Sequence, residues 1–342
     1  MTVPRRVFLG TFLVTRRCVQ RRFLLRPEKA LDDGFLYVFL VGAKKFAIAI
    51  HGLVVLSNHY HLVATPTRRN LPRFVHWIHL HMAKLVNVRR RRSGAVWSSV
   101  DKTSVVHLAD ADAVLRELVY TAVNPVEAGL VPTPAEWPGV RTLPAQVGTT
   151  LVAERPAFYF RSEADAAGEA ASDGEGGEGG EGARRGARGA AVLPARIEVE
   201  LTRPPQFAGL TDPEFRALFA RAVDESVAGI HAARQAAGRP GFLGVWGVLA
   251  QEPESTPGGP GTPDFSLSPT VACRDKWRRI ELLQQRAEFL AEYRVAWGAF
   301  REGNRNVRFP EGTYGPCVLY GARCHGNPPE HAAAGSRVRL AA

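Results

Sequence analysis

Cysteine is scarce: the chain has four in 342 residues. That number cannot build a disulfide framework, so a reducing, cytoplasmic compartment is the expectation. Long apolar runs are missing too. No stretch approaches the roughly 18 uncharged apolar residues of a membrane span, and no membrane association is expected. No continuous apolar segment precedes Arg16 and Arg17, so no secretory signal is expected. Acidic residues are short in one region only. Residues 1–148 hold 21 Lys+Arg against 9 Asp+Glu, a net of +12, whereas the remaining 194 hold 23 against 24, a net of −1. A basic unit joined to a near-neutral one suggests a polyanion partner, although a solvated basic surface fits the charge alone equally well. The 45% hydrophobic and 23% charged composition excludes a wholly disordered chain.

Residues 161–190 carry nine glycines among small and charged neighbours and no large apolar residue. Such a run cannot bury a core, which predicts a flexible linker over 149–195 between a domain at 1–148 and a C-terminal accessory region at 196–342. A second Pro/Gly/Ser/Thr-rich break spans 252–269. In the first domain the patterning predicts strands over 7–15, 46–57, 59–65 and 100–108. Helices are predicted over 27–45, 71–91 and 112–124, the last ending at Pro125. This order predicts an α+β fold, a ferredoxin-like antiparallel sheet with helices on one face. The C-terminal region reads as mainly helical, with Trp277, Ile280, Leu283, Ala287 and Leu290 as its core stripe. Cys317 and Cys324-His325 hint at zinc but lack a fourth ligand.

Two segments carry chemistry. On a strand, His59 and His61 project from one face, about 7 Å apart, while Tyr60 and Leu62 face the other way. The pair can converge on a divalent ion, yet two ligands do not make a site, and two histidines on a wet sheet face fit as well. On the later helix, Leu115, Leu118, Val119 and Ala122 form the apolar stripe, and Asp110 or Asp112 can cap its start. Tyr120 falls about 140° from that stripe and Asn124 about 180°, one turn apart on nearly the same side. An exposed tyrosine, and an asparagine ending a helix, fit this placement too.

Together these segments resemble the single-tyrosine HUH transposases, the group of IS200-like and REP-associated tyrosine transposases. The likeness is carried by Ser57-Asn58-His59-Tyr60-His61-Leu62, by Gly94-Ala95-Val96-Trp97, by the run from Tyr120 through Asn124-Pro125-Val126-Glu127-Ala128-Gly129-Leu130-Val131, and by Trp137-Pro138. It covers roughly residues 1–145. Two departures stand out: Ser98, Ser99 and Val100 where relatives usually carry basic or aromatic residues, and Leu56 where many have methionine. The resemblance implies that His59 and His61 bind a metal, with Asn124 as the polar ligand one turn after Tyr120, the nucleophile. It further implies Mg2+ or Mn2+ as cofactor and single-stranded DNA, often a hairpin end, as substrate, handled by a monomer or a homodimer. A relative that keeps DNA binding but has lost catalysis is the alternative. A scaffold whose C-terminal part does the work is a third.

The chemistry suits these residues. A phenol with a pKa of about 10 attacks poorly at neutral pH, and a metal on a non-bridging oxygen can compensate. Glu117, one turn before Tyr120, is a candidate proton acceptor, though a solvated helix glutamate fits as well. Two arginine clusters, Arg16, Arg17, Arg21 and Arg22, then Arg89, Arg90, Arg91 and Arg92, are the candidate DNA contacts, because guanidinium forks fit phosphates and stack on unpaired bases.

Overall fold

The computed structural model of the chain describes residues 6–99, 103–158, 193–239, 241–257 and 269–326. The basic part forms strands β1 (Thr11–Arg17), β2 (Ile48–Val55), β3 (His59–Pro66) and β4 (Ser104–Leu108) and helices α1 (Lys29–Phe46), α2 (Leu71–Arg89) and α3 (Ala111–Glu127). The sheet order is β2-β3-β1-β4-β7, where β7 (Val271–Ala272) arrives from far downstream. The first four strands pair antiparallel, whereas β7 runs parallel to β4. The fold is α+β with a mixed sheet, a correction to the purely antiparallel expectation.

The helices also lie on both faces, not one. Tyr60 and Leu62 point toward α1 and α2. The Tyr60 ring lies 5.5 Å from Phe39 of α1, and its hydroxyl bonds the His79 ring of α2 at 2.7 Å. Helix α2 buries Leu71, Phe74, Val75, Ile78, Met82 and Leu85, the stripe its 3.6-residue spacing predicts. Helix α3 covers the opposite face, the one that carries His59 and His61.

Helix α1 is apolar nearly all round: Leu31, Phe35, Tyr37, Val38, Phe39 and Leu40 are all fully buried. A helix like that needs cover on both sides. The outer cover is a hairpin of β5 (Thr150–Glu154) and β6 (Arg196–Glu200), paired antiparallel. Tyr37 donates its hydroxyl to the Pro194 carbonyl at 2.5 Å. The expected 149–195 linker therefore starts as a strand. Its Gly/Glu/Ala run at 161–190 lies outside the described residues, as do 258–268 of the second break.

The boundary at 148 does not divide the packing either. Ile197, Leu201, Phe215, Phe219 and Val223 join the same core as the sheet. Helix α4 (Asp212–Ala236) lies along α3, and the short helix α5 (Gly244–Leu249) places Val248 against Val131 and Trp137. A separate small core sits under α6 (Lys276–Arg301) and comprises Phe289, Tyr293, Ala296, Phe300, Phe309 and Cys317. Of the stripe expected for α6, Leu290 packs against this core, but the N-terminal members do not. Trp277 is 76% exposed and Leu283 43%, because the aromatic residues near the helix end find partners and the start does not. Cys317 and Cys324 are joined as a disulfide, which removes both from any zinc site. Among the described residues no helix is long and apolar enough to cross a membrane.

Two outcomes follow. A chain ending at residue 148 uncovers α1 and α3 and is expected to lack a cooperative unfolding transition; a sharp transition from that fragment would refute the shared core. Asp32, in the first turn of α1, accepts the Glu28 amide at 2.9 Å, and burial pushes its pKa up to about 7. An unfolded aspartate titrates near 4, so the folded state holds an extra proton between about pH 4 and 7 and stability falls as pH rises through that window. Asp32→Asn should be more stable than the parent by about 1–3 kcal/mol at pH 8, with the gap closing toward pH 4, in urea titrations across that range.

Candidate active site

The β2–β3 hairpin turns on Ser57 and Asn58, closed by the Leu56 amide donating to the His59 carbonyl at 2.8 Å. Across β1, Thr15 lies opposite His61 and Arg17 opposite His59, so all four side chains share one face. The His61 Nδ1 bonds Thr15 Oγ1 at 3.0 Å, and the His59 Nδ1 bonds Asn58 Oδ1 at 2.6 Å. The two rings stand edge to face, centroids 4.9 Å apart. Burial lowers both pKa values, His59 to about 4 and His61 well below the ordinary histidine value, and the Arg17 charge lowers both further. Both imidazoles are therefore neutral at pH 7. The Nε2 of His61 is buried and has no hydrogen-bond partner. Such an atom is costly unless something outside the chain meets it.

Helix α3 starts where Asp110 accepts the Ala113 amide at 2.7 Å. It does not stop at Pro125 but continues to Glu127. A proline removes only its own N–H, and the chain then closes through the Leu130 amide on the Pro125 carbonyl at 2.9 Å, with Gly129 at φ 70°. The helix can lie on β2 because β2 bulges between Ile50 and Gly52 and is bare at the glycine. A Cβ on Gly52 would sit 2.8 Å from Leu118 Cδ2.

That approach sets the site. The Tyr120 ring comes to 5.1 Å from the His61 ring, edge to face, and stays 36% exposed. Asn124 is buried beneath them rather than facing solvent, and its amide lies close enough to raise the His59 pKa and lower that of Tyr120. Burial raises the Tyr120 pKa, the Glu127 and Glu117 charges raise it further, and the Asn124 amide opposes them. Glu117, half-buried, has its own pKa raised by burial despite Arg116 at 3.5 Å. Among the described residues no group of three or more His, Cys, Asp or Glu side chains could hold a metal. The available set is two neutral imidazoles and one amide. With the unpartnered Nε2, it suits a divalent cation that keeps open positions rather than a closed zinc site.

The chain is similar to transposases of known structure. One is a REP-associated tyrosine transposase bound to a REP hairpin: 17% identity, TM-score 0.34, covering 41% of this chain and 81% of that one. Another is a Deinococcus radiodurans R1 protein provisionally assigned as a transposase: 18% identity, TM-score 0.26, covering 33% of this chain and 89% of that one. No protein-family profile and no curated protein matches the chain.

Helix α4 braces the tyrosine helix. Between them runs a groove of about 420 Å³, lined by Leu115, Val119, Tyr120, Val123, Glu225 and Ile230. The loop leaving α3 is stapled as well: His231 bonds the Pro132 carbonyl at 2.8 Å, and the Leu243 and Gly244 amides donate to the Gly129 and Leu130 carbonyls.

The arginines separate into groups. Arg17 faces the site. Arg16 is turned inward, donating to Thr103 Oγ1 at 2.8 Å and the Ser98 carbonyl at 2.7 Å. Arg21 is half-buried beside the hairpin turn, where its carbonyl accepts from Asn58. Arg89 pairs with Glu28, and Arg90 donates to the Leu24 and Arg26 carbonyls. Arg91 is exposed, and Arg22 and Arg92 both bind Glu254. Arg16 and Arg90 thus make hydrogen bonds within the fold. Trp97 is held by a bond from Nε1 to the His79 carbonyl at 2.8 Å and packs on Tyr60.

Sequence reasoning assigned no role to Thr15, and placed Asn58 in the histidine motif without one. They stand two residues before Arg17 and one before His59, a signal that register alone could have exposed. Gly52→Ala is expected to cost about 1–3 kcal/mol by driving α3 off β2. Gly209→Ala, where a Cβ meets nothing within 4 Å, should stay within about 0.5 kcal/mol of the parent. Equal denaturant midpoints for the two variants would refute the close approach.

Proposed function

We propose that this chain is a metal-dependent DNA transposase that cuts and rejoins single-stranded DNA, hairpin ends included, through a 5′-phosphotyrosine on Tyr120. In this reading the sheet is the ferredoxin-like platform of that family. The observation that carries the reading is the convergence of Tyr120, Asn124, His59 and His61, from two elements more than fifty residues apart, at a partly exposed point. The sequence motif from Tyr120 to Val131 supports it independently. His59, His61 and the Asn124 oxygen are the proposed ligands of Mg2+ or Mn2+. That ion, when bound, would neutralise charge on a non-bridging phosphate oxygen and orient the phosphate.

The chain's own residues do the rest. The Tyr120 oxygen attacks phosphorus in line, a P–O bond to the phenol forms, and the bond to the 3′ oxygen breaks. The phenol proton passes to a carboxylate; Glu127 and Glu117 are the two whose charges reach Tyr120. The departing oxygen takes a proton and leaves as a 3′-hydroxyl. One phosphoester replaces another, so a second 3′-hydroxyl can reverse the step and join a new strand without ATP. Asn124 orients the phenol, and Arg17 offers a fork to the phosphate beside His59.

Because one chain supplies all four groups, the site is proposed to be complete within a protomer. The test is a labelled single-stranded hairpin with Mn2+. The parent should form a covalent protein–DNA adduct and Tyr120→Phe none, a loss beyond about 100-fold. Mixing Tyr120→Phe with His61→Ala should not restore it. Adduct from the mixture would show a site shared between protomers, and no adduct from the parent would refute the transposase reading.

A further inference from the structure

The segment at 249–257, which follows α5, lies along the basic edge of the first part. Arg26 donates to the Leu249 and Gln251 carbonyls at 2.8 and 3.2 Å. The Phe23 amide donates to the Ser255 carbonyl at 3.0 Å, and Ser57 donates its hydroxyl to Gln251 Oε1 at 2.6 Å. At the centre is Glu254. Its Oε2 accepts from Arg22 Nη1 at 2.6 Å and its Oε1 from Arg92 Nε at 2.9 Å. Each carboxylate oxygen meets a different guanidinium, the arrangement by which two arginines grip a phosphate.

The two sides are unequal. Arg92 is set by the fold: its side chain is only 15% exposed, and Asn87 Oδ1 holds Nη1 at 2.8 Å. It points inward because Arg91 just before it adopts φ 49°, a left-handed conformation that ends α2. Glu254 is 53% exposed and sits on irregular chain. The cluster also holds Arg26 and Arg90, and Arg90 senses the charges of Arg26, Glu28 and Glu254. Five guanidinium groups, those of Arg22, Arg26, Arg89, Arg90 and Arg92, thus gather around the carboxylates of Glu28 and Glu254, and the site keeps a positive excess. Ser57, which the segment contacts, neighbours Asn58, the residue that holds His59.

We propose that Arg22 and Arg92 form a phosphate-binding site for single-stranded DNA, and that in the free protein Glu254 occupies it as an internal competitor. This rests on the reading that the chain binds single-stranded DNA. A phosphate entering the site displaces Glu254 and frees residues 251–257 from Phe23 and Ser57. The substrate must compete with a tethered carboxylate. Strands that reach this edge and the tyrosine together are thereby favoured over short or stray polyanions.

The experiment measures affinity for a labelled single-stranded hairpin as a function of salt, without divalent metal, so that cleavage does not enter. Glu254→Gln should bind severalfold more tightly than the parent, with log K against log salt steeper by about 0.7, the value of one phosphate on a single strand. Glu281→Gln makes the same charge change at another exposed glutamate paired with an arginine, and should leave the affinity near that of the parent. In an Arg22→Ala background the gain from Glu254→Gln should vanish. A merely structural Glu254 would not produce that dependence. Hydrogen exchange at 249–257 in the parent should rise on adding the hairpin. Equal or weaker binding by Glu254→Gln, a gain that survives Arg22→Ala, or unchanged exchange would each overturn the proposal. If neither parent nor variant binds the hairpin, the DNA-binding reading beneath it falls as well.

Discussion

The site depends on how closely α3 can lie on the sheet. Leu118 drops into the space that a side chain at position 52 would fill, which favours the close approach that brings Tyr120 to His61. The bulge beside Gly52 twists β2 away from an ideal strand, and the missing Cβ removes the last obstacle. Everything chemical then follows from that contact. The phenol stays at the rim and the amide of Asn124 lies beneath it, with His61 buried and His59 half-buried beside them.

The second constraint is electrostatic. The face that carries the histidines also carries Arg17, whose charge lowers the pKa values of both rings. Neutral rings with Nδ1 tied to Thr15 and Asn58 leave their other nitrogens directed into the site. Under the proposed reading, neutral imidazoles held this way serve as cation ligands rather than as proton donors. The carboxylates near Tyr120, Glu117 and Glu127, lie on α3 itself, and their charges add to burial in raising the phenol's pKa.

The downstream half of the chain reads as a participant in this arrangement rather than as an appendage. The hairpin of β5 and β6 seals α1, α4 braces the tyrosine helix, and Leu243 and Gly244 staple the loop that follows it. The segment at 249–257 then caps the arginine edge. A helix held along its length from outside is poorly placed to exchange with a neighbouring copy. The extension therefore favours a site completed by one chain.

Much of the first part was legible beforehand. The stripe of α2, the strand alternation that sends His59 and His61 to one face, and the offset of Tyr120 from the apolar side of α3 are all local. They follow from the 2.0 and 3.6 residue periods and from which residues tolerate water. The end of α3, the parallel strand β7, the face covered by each helix and the buried stripe of α6 were not legible. Each of these is set by what packs against the element, and partners such as Asp110 and Arg274 lie 164 residues apart along the chain. The charge excess was visible too, but the fate of each arginine was not. Arg16 and Arg90 turned inward to carbonyls, and Arg22 and Arg92 met Glu254, because hydrogen-bond partners are assigned in space. Periodicity and residue chemistry specified which side chains could react. Only the long-range packing of α3 at Gly52, with α4 behind it, brought them to one point, since the short-range forces that write a sequence pattern cannot fix a distance between separate elements.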